Sequence, residues 1–402
     1  MHNPLYRNSF FIALGRITDV GFGFLFWTVA ARLYSQMDVG IATALISSLT
    51  LVITLSRLGF DTALVRFLPS KEKSRALSTT LWVTLIATLI AAAIYLLLVP
   101  YITPELVPLR DYFLVFILFA LANSFESIAE NALLAVRRAD LRWMLHLFLS
   151  ARILLLFPFA LLGSFGIFSS LGVAYLVVIL FSFLLVRRNF GITREISREY
   201  LRETFRFSSL NYLASILASI PTLLFPILIM NLLGAEEAAL YYIAFTIGNL
   251  VLIVPDAMTT SFFVEGSHGA NLRKAAVYTL TANYAILIPV ILFMFLFGNL
   301  LLGLFGSAYL AAFDLLRIIS LSALFVTIYN LFIPLQNIRL RVGMVVLLNF
   351  IRCVLLLGLG YVLLLHFGVI GIGYAWLATY VVMAVGIVII SMKKLDSISY
   401  IP

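Results

Sequence analysis

Charged residues are scarce in this chain. Of its 402 residues, only 11% are Asp, Glu, Lys or Arg, whereas 63% are hydrophobic. Soluble domains contain about 25% charged residues, so a chain with so few charges cannot cover its surface with polar groups. A soluble globular protein is therefore excluded, and the composition predicts an integral membrane protein.

Cysteine is almost absent. The single one, Cys353, lies inside an apolar run, which excludes a disulfide framework. The sequence also lacks a phosphate-binding loop of the G-x-x-x-x-G-K-[ST] type, a cluster of metal ligands and any loop as long as an ATPase domain. We therefore expect no cofactor and no enzymatic activity. A transporter of this composition would draw its energy from an ion gradient, the membrane potential or the gradient of its substrate.

Long apolar runs fill the rest of the chain. A membrane-spanning helix needs about 20 mostly apolar residues, and runs of this length predict twelve spans. They cover 9–32, 38–64, 77–100, 112–136, 143–163, 167–186, 207–231, 238–264, 275–297, 313–335, 342–366 and 369–391. The segment 298–312 is expected to form an interfacial turn or a re-entrant segment.

The longest polar stretch, 187–206, lies near the midpoint of the chain. In it Ile192, Ile196 and Tyr200 recur every four residues, which is typical of an amphipathic helix on a membrane surface, although a solvated linker is an equal alternative. Three of its glutamates each precede an arginine by three residues, so local ion pairs can support a helix. The predicted organisation is an N-terminal six-helix bundle, a cytoplasmic amphipathic linker helix, a C-terminal six-helix bundle and a cytoplasmic tail, over 1–186, 187–206, 207–391 and 392–402.

Basic residues outside the spans lie mostly on one side of this topology. The loops on that side contain the linker arginines together with Arg7, Arg66, Lys71, Lys73, Arg75, Arg137, Arg138, Arg142, Arg273, Lys274, Arg339, Arg341, Lys393 and Lys394. The opposite loops contain Arg32 and Arg110. The positive-inside rule then places both termini and the linker in the cytoplasm, and the net charge of +9 does not indicate nucleic-acid binding.

The two halves of the chain resemble each other at an offset near 200 residues. Gly166 matches Gly368, and Arg152 matches Arg352. Because each half holds an even number of spans, this duplication predicts two parallel six-helix bundles related by a pseudo-twofold axis along the membrane normal. Many transporters with such repeats bind their substrate between the halves.

Five charged side chains are first candidates for a substrate cavity because they lie inside spans, where each costs at least about 2.5–3.5 kcal/mol. Arg16 and Asp19 share one face of the first span and can pair. Arg57 and Asp61 repeat this arrangement in the second span, but they lie near its end, where snorkelling is ordinary. Arg152 lies about ten residues inside its span, so a cavity or interhelical role is favoured.

Two charges of the second half complete this set. Arg352 lies as deep in its span as Arg152 does, whereas Asp256 lies near a span end. At an offset of 199 residues Asp256 falls on Arg57, and we predict that the two charges meet, or share a polar chain, in one conformational state.

The fourth span carries a polar stripe at helical spacing. Asn123, Glu126 and Glu130 are candidates for proton or ion coupling, because two carboxyls one turn apart resist ionising together and one can hold a proton. The alternative is that each acid is held by an arginine, for instance Arg57 or Arg152. His146 and His366, near span ends, are interpreted as structural.

Proline is concentrated in the seventh and eighth spans. We expect Pro221 and Pro226 to interrupt the seventh span and Pro255 to bend the eighth. Such breaks mark the moving site in many transporters, but a static kink is at least as frequent.

Three stretches carry a resemblance to a known family. The residues Leu-Tyr-Ser-Gln-Met-Asp-Val-Gly of 33–40, the run 58–69 and the run 233–244 resemble the Wzx-type oligosaccharide flippases of the multidrug/oligosaccharidyl-lipid/polysaccharide (MOP) exporter superfamily. The resemblance extends over the whole chain. Ala239 departs from it, since the family usually has glycine there, and the seventh span has no charge.

The resemblance implies an alternating-access flippase in the cytoplasmic membrane. Such a protein moves a polyprenyl-pyrophosphate-linked oligosaccharide to the outer leaflet, with basic cavity residues engaging the anionic headgroup, and Arg16 and Arg57 stand on matching spans. Its partners would be this substrate, membrane lipid and polysaccharide assembly proteins, with no nucleic acid, and it would function as a monomer.

Two other functions remain open. A cation-coupled multidrug antiporter of the same superfamily would favour acids over arginines in its cavity, and here both occur. A polytopic polysaccharide polymerase or ligase would need a sizeable outer loop carrying chemistry, whereas the longest outer loop here has about fifteen residues.

Overall fold

The computed structural model describes residues 4–68, 72–193, 195–267 and 271–398, and every long regular element in these ranges is an α-helix. Lys71, Arg194 and the last four residues of the predicted tail lie outside them. The helices are α1 Pro4–Leu33, α2 Gln36–Ser56, α3 Phe60–Phe67, α4 Lys73–Ile102, α5 Phe113–Ala135, α6 Ala139–Ser150, α7 Arg152–Leu155, α8 Ser164–Phe190, α9 Arg198–Leu233, α10 Ala235–Leu250, α11 Ile253–Ser267, α12 Leu272–Phe305, α13 Phe313–Ile338, α14 Val342–Phe367 and α15 Ile370–Ile398.

Ten helices in the described ranges are long and apolar enough to cross a membrane, and the bent pair α10 and α11 makes an eleventh span. The chain forms two compact units. The first comprises Met1–Ile216 and Thr222–Ala239, and the second comprises Leu217–Pro221 and Leu240–Pro402. In the first unit α5 packs on α4 and α8, and α6 packs on α1. In the second unit α15 packs on α13 and α14.

The stretch 34–40, which carries part of the family resemblance, joins three segments of the first unit. Ser35 caps α2, and the Asp38 carboxylate accepts a hydrogen bond of 2.8 Å from the backbone N–H of Ser164 at the start of α8. The Tyr34 hydroxyl donates to the carbonyl of Leu156 at 2.7 Å. Burial, with the Asp38 carboxylate nearby, raises the pKa of Tyr34 to about 12, so this donor keeps its proton at physiological pH.

The second span is broken, which the sequence did not predict. The predicted helix 38–64 ends at Ser56 and restarts as α3 at Phe60. Leu58 and Gly59 both have positive φ, of 50° and 77°, a conformation that ends a helix. The Tyr212 hydroxyl donates to the carbonyl of Leu55 at 2.5 Å and so satisfies one of the acceptors that the break leaves free.

The fifth span is not a continuous helix either. The prediction of one helix over 143–163 is wrong, because α6 ends at Ser150 and is followed by the single turn of α7 and a short 3₁₀ segment, Ala160–Leu162. Gly163 then starts α8 with a φ of 56°. Arg152 therefore lies at a helix break and not deep inside a regular span.

The proline predictions are only partly right. Helix α9 runs without interruption through Pro221 and Pro226, so the predicted interruption of the seventh span is wrong. The eighth span does bend, by 53° between α10 and α11. Pro255 lies in the first turn of α11, just beyond the bend, where a missing N–H costs little.

The segment 298–312 is not re-entrant. Helix α12 continues to Phe305, and Gly306, with a φ of 144°, starts a 3₁₀ turn over Ser307–Ala312 that leads into α13. At the other end of the second unit, α15 continues to Ile398 and includes most of the predicted tail.

The polar stretch 187–206 is not a separate amphipathic helix. It begins as the last turn of α8, and its end belongs to α9, with non-helical backbone at 191–193 and 195–197. Tyr200 is buried, with its hydroxyl 3.2 Å from the Thr80 hydroxyl, whereas Ile192 and Ile196 are exposed. The predicted apolar stripe therefore does not form.

This linker is instead fastened to α4. The Ser78 hydroxyl accepts from the backbone N–H of Thr193 at 2.8 Å, and the Thr79 hydroxyl accepts from that of Ser197 at 2.9 Å. Glu195 pairs with Arg75 at 2.8 Å rather than with an arginine of the linker. The hydrogen-bonding needs of an irregular backbone segment are thus met by side chains of a neighbouring helix.

Removal of both hydroxyls, in Ser78→Ala with Thr79→Val, is expected to lower the stability by about 2 kcal/mol, because each loss leaves a backbone N–H unpaired at about 1 kcal/mol. Thermal unfolding of the purified protein in detergent measures it. Ser74→Ala, on the first turn of the same helix, is the matched control and should unfold at the wild-type temperature. Equal unfolding temperatures for all three proteins would show that the linker is not held in this way.

The two units repeat the same local structures, which supports the predicted duplication. After both α5 and α13, the second residue beyond the helix has a positive φ. These residues are Arg137, at 59°, and Leu340, at 57°, and they lie 203 positions apart. The following N–H closes the same bond in each, Arg138 to the carbonyl of Leu133 and Arg341 to that of Gln336, both at 2.9 Å.

The predicted pairing of Gly166 with Gly368 needs a correction. Gly163 and Gly368 share one backbone conformation, with φ of 56° and 65°, directly before α8 and α15. Three residues later, a Cβ on Gly166 or on Gly371 would collide with a backbone carbonyl. Gly371 and not Gly368 is therefore the counterpart of Gly166.

Candidate functional site

A cavity of about 330 Å³ opens in the first unit between α1 and α6. It is lined by Phe11, Ile12, Gly15, Arg16, Asp19, Ala139, Arg142, Trp143 and His146. The side chain of Trp143 fixes one wall, because its indole N–H donates to the Thr18 hydroxyl at 3.0 Å. The predicted pair Arg16 and Asp19 lines this cavity, but Asp19 contacts a different side chain.

That side chain is His146, whose buried ring lies between two carboxyl groups. Its Nδ1 is 2.7 Å from Asp19 Oδ1 on α1, and its Nε2 is 3.2 Å from Glu130 Oε1 on α5. The side chain of His146 is 8% exposed, whereas that of Asp19 is 49% exposed. The ring therefore joins an exposed acid to a buried one.

The buried acid is one of the predicted carboxyl pair. Glu126 and Glu130 lie one turn apart on α5. Glu126 is only 4% exposed, and its Oε1 has no hydrogen-bond partner in the described part of the chain. Two buried carboxyls this close resist ionising together, so the pair is suited to hold a proton. Asn123 is half-buried one turn earlier on the same helix.

Arg142 is the arginine that contacts this pair. Its Nε is 3.5 Å from Glu130 Oε2, and both Arg142 and Arg57 lie within electrostatic range of Glu126. Arg142 thus lies at a cavity and not in the cytoplasmic loop that its position in the sequence predicts, and His146, predicted to be structural, joins the two acids. Arg142 and His146 lie on α6 four positions apart, a spacing that puts their side chains on one face of the helix. This spacing can be read from the sequence and could have indicated that the two residues line the same site.

Arg57 and Asp61 form the predicted ion pair, at 3.8 Å between Nη1 and Oδ2. They do not share one helix, however, because the break after Ser56 separates them. Asp61 lies in the first turn of α3, as Asp256 does in α11, so the local position of Asp256 corresponds to Asp61 more closely than to Arg57.

Arg152 stacks on an aromatic ring and pairs with neither glutamate. Its guanidinium carbon is 5.1 Å from the ring centroid of Phe26, a distance at which a cation is attracted by the ring face. It lies in electrostatic range of Tyr175 on α8, as do Glu126 and Glu130. The predicted alternative that Arg152 holds one of the acids is therefore not supported.

The second unit contains a buried guanidinium. Arg352 on α14 is 9% exposed, and its Nη1 donates to the Tyr380 hydroxyl at 3.0 Å and its Nη2 to the carbonyl of Ala218 at 2.5 Å. Its guanidinium carbon lies 5.4 Å from the ring centroid of Tyr329. No carboxylate lies within ion-pairing distance of it in the described ranges, so Arg352 joins three helices through neutral partners.

Asp256 has a neutral partner as well. Its Oδ1 accepts a hydrogen bond of 3.0 Å from the side-chain amide of Asn330 on α13.

Pro221 lies one turn from Ala218, and a proline cannot donate to the carbonyl four residues before it. The carbonyl that Arg352 contacts, that of Ala218, is the next one in the same turn of α9, and this contact supports a continuous helix at that point.

In the first unit, an exposed carboxylate, an imidazole and a carboxyl pair lie in sequence, and none of these groups needs a metal to hold or release a proton. No group of three metal-ligating side chains occurs among the described residues.

Comparison with known proteins gives this geometry a context. The family model described as polysaccharide biosynthesis protein matches residues 5–264. No curated protein sequence matches the chain. Among solved structures, the chain is similar to an inward-facing multidrug resistance MATE family transporter of the MOP superfamily, with a TM-score of 0.75, 16% identity, and coverage of 98% of this chain and 99% of that one.

Two further structures agree. A MOP superfamily transporter from Pyrococcus furiosus, described as having a binding pocket of reverse polarity, has a TM-score of 0.67 and 18% identity, with 99% of this chain and 96% of that one covered. An outward-facing MATE family transporter has a TM-score of 0.63 and 16% identity, with the same coverage. Similarity at these identities shows a shared fold, and it confirms the predicted all-α membrane architecture of two six-helix bundles.

Proposed function

We propose that this chain, which belongs to the polysaccharide biosynthesis protein family, moves a polyprenyl-(pyro)phosphate-linked oligosaccharide across the cytoplasmic membrane for the assembly of a surface polysaccharide. The family match over residues 5–264 carries the proposal. The fold is that of the MOP superfamily transporters, and the chain is a multi-pass membrane protein. The substrate class is the part of the proposal that needs testing.

The arginines of the first unit support an anionic headgroup as the part of the substrate that is recognised. Arg16 lines the cavity between α1 and α6, and no ion pair of its guanidinium occurs in the described residues. Arg57 lies at the break of the second span, with one side of its guanidinium toward Asp61. A guanidinium presents planar donors that match the oxygens of a phosphate, so both side chains suit a (pyro)phosphate.

The carboxyl pair is the proposed coupling group. A proton held by Glu126 or Glu130 would lie in a buried position, and its release would leave two negative charges one turn apart. Arg142 and Arg57 are close enough to compensate part of this charge. Transport is thus proposed to be driven by a proton gradient or by the membrane potential.

The remaining features of the proposal follow from the distribution of basic loops. Both termini and the linker lie in the cytoplasm by the positive-inside rule. The substrate and membrane lipid are the proposed partners, with contacts to polysaccharide assembly proteins, and the protein is proposed to act as a monomer.

A multidrug antiporter is the second candidate. The solved structures similar to this chain include MATE family transporters, one of them described as a multidrug resistance transporter. The acid-rich network of α1, α5 and α6 would also suit a cation-coupled exchange. A surface rich in arginine disfavours a cationic drug, which is why the flippase is preferred.

The test is a flipping assay with a lipid-linked oligosaccharide in proteoliposomes, under an imposed proton gradient. Arg16→Ala and Arg57→Ala are each expected to slow flipping at least tenfold, about 1.4 kcal/mol or more, because a phosphate contact is lost. Glu126→Gln is expected to flip at a rate that no longer depends on the gradient. Arg317→Ala, an exposed arginine of the second unit, should behave as the wild type.

Two results would contradict the proposal. Wild-type rates in all three variants would remove the assigned site. Exchange of a cationic drug against protons by a protein that does not move the lipid-linked oligosaccharide would identify the antiporter instead.

A further inference from the structure

The contacts of His146 form an unbroken chain from the exposed surface of the cavity to the buried carboxyl pair. Asp19 Oδ1 is 2.7 Å from Nδ1, Glu130 Oε1 is 3.2 Å from Nε2, and Glu126 lies one turn before Glu130 on α5. The side chain of Asp19 is 49% exposed, whereas those of His146 and Glu130 are 8% and 14% exposed and Glu126 is 4% exposed, so only the Asp19 end of this chain is open.

We propose that His146 relays protons between Asp19 and the Glu126–Glu130 pair, and that the cavity between α1 and α6 is the entry route of the protons. This inference rests on the proposed coupling role of the carboxyl pair and specifies how that pair exchanges protons. If His146 only joined helices, its neutral ring would need a single hydrogen-bond acceptor. Here each ring nitrogen faces a carboxylate oxygen of a different helix.

The transfer balances without any further reactant. A neutral ring carrying its proton on Nε2 accepts a proton from the Asp19 carboxyl on Nδ1 and becomes an imidazolium. The imidazolium then gives its Nε2 proton to the Glu130 carboxylate, which shares it with Glu126. The ring is left with its proton on Nδ1, and rotation of the ring or exchange with water in the cavity restores the starting tautomer.

The charged groups around the ring are compatible with this transfer. Arg142 on its own helix lies 3.5 Å from Glu130 and stabilises the carboxylate that the relay must regenerate. Arg16 lines the same cavity beside Asp19. Behind the carboxyl pair lie Arg57 and, on α8, Tyr175. A cavity of about 330 Å³ is large enough to hold several waters at the Asp19 end.

The experiment measures the exchange of the buried proton directly. Infrared spectroscopy of the purified, membrane-reconstituted protein detects the C=O stretching band of a protonated carboxyl, and this band shifts when D₂O replaces the proton by deuterium. The band that disappears in Glu126→Gln belongs to the pair. In His146→Gln we expect this band to persist, because glutamine can still hydrogen-bond to both acids, but to exchange at least tenfold more slowly than in the wild type.

Two further variants separate the relay from a packing effect. Asp19→Asn removes the entry carboxylate at an exposed position and should slow exchange as His146→Gln does, even if the latter folds poorly. His366→Gln, in the second unit, controls for the loss of a histidine.

Two outcomes would overturn the relay. If His146→Gln and Asp19→Asn exchange as fast as the wild type, protons reach the pair by another route. If no protonated carboxyl band is lost in Glu126→Gln, the shared proton does not exist. Neither readout uses a transport substrate, so the relay can hold while the flipping assay fails, or fail while flipping is measured.

Discussion

Arg352→Ala is expected to destabilise the protein by about 3 kcal/mol, the largest effect among single substitutions in the second unit. The substitution removes hydrogen bonds to the Tyr380 hydroxyl and the Ala218 carbonyl and the contact with the Tyr329 ring. Hydrogen bonds between membrane helices contribute up to about 1.7 kcal/mol each, a cation–π contact adds about 1 kcal/mol, and a cavity remains. Relief from burying a charge offsets part of this loss.

Thermal unfolding in detergent measures this effect. Arg273→Ala is the matched control, because Arg273 is an exposed arginine in the first turn of α12, and surface charges contribute about 0–1 kcal/mol. Arg352→Lys keeps the charge but cannot reach two partners with a planar group, so an intermediate loss is expected. Equal stability of Arg352→Ala and Arg273→Ala would mean that the three contacts do not stabilise the fold.

Gly40→Ala is expected to cost a similar amount, about 3 kcal/mol, for a steric reason. A Cβ on Gly40 would overlap the backbone carbonyl of Ala235, at the point where the start of α2 packs on the start of α10 in the first unit. The Gln36 side-chain amide also donates to the carbonyl of Glu236 there, at 3.1 Å. A backbone carbonyl cannot rotate away as a side chain can, so the helices must separate, and overpacking of this kind costs up to about 3 kcal/mol.

Gly21→Ala provides the control for this substitution. Gly21 is also inside a helix, α1, and a Cβ there meets no atom within 4 Å in the described structure. Because alanine favours a helix over glycine by about 1 kcal/mol, Gly21→Ala should be neutral or stabilising. The comparison is made by the yield of monodisperse protein and by the unfolding temperature, and a stable Gly40→Ala protein would disprove the close approach.

The family and the fold class could be predicted from the sequence, and the family match and solved structures confirm both. Membrane spans depend on local hydrophobicity, which can be read directly from the amino-acid sequence. The carboxyl pair on α5 was also found, because Glu126 and Glu130 are neighbours on one helix and their interaction is local.

The rest of the network depends on contacts between distant parts of the chain. His146 meets Asp19 and Glu130 only because α1, α5 and α6 pack with particular faces together, and hydrophobic periodicity does not give the rotation of each helix. The breaks at Gly59 and Ser150 were missed for a related reason. Tertiary contacts satisfy the backbone there, such as the bond from Tyr212 to Leu55.

The matched ends of α5 and α13 allow the two units to be compared residue by residue. The separation of 203 positions between Arg137 and Leu340 places Tyr329 where the first unit has Glu126. In the proposed mechanism, one half of the duplicated chain thus has the carboxyl that exchanges protons, and the other half has a tyrosine beside a guanidinium at the equivalent position. We therefore expect the carboxyls of one repeat alone to set the number of protons that are moved in each transport cycle. The other repeat would provide a constant positive potential.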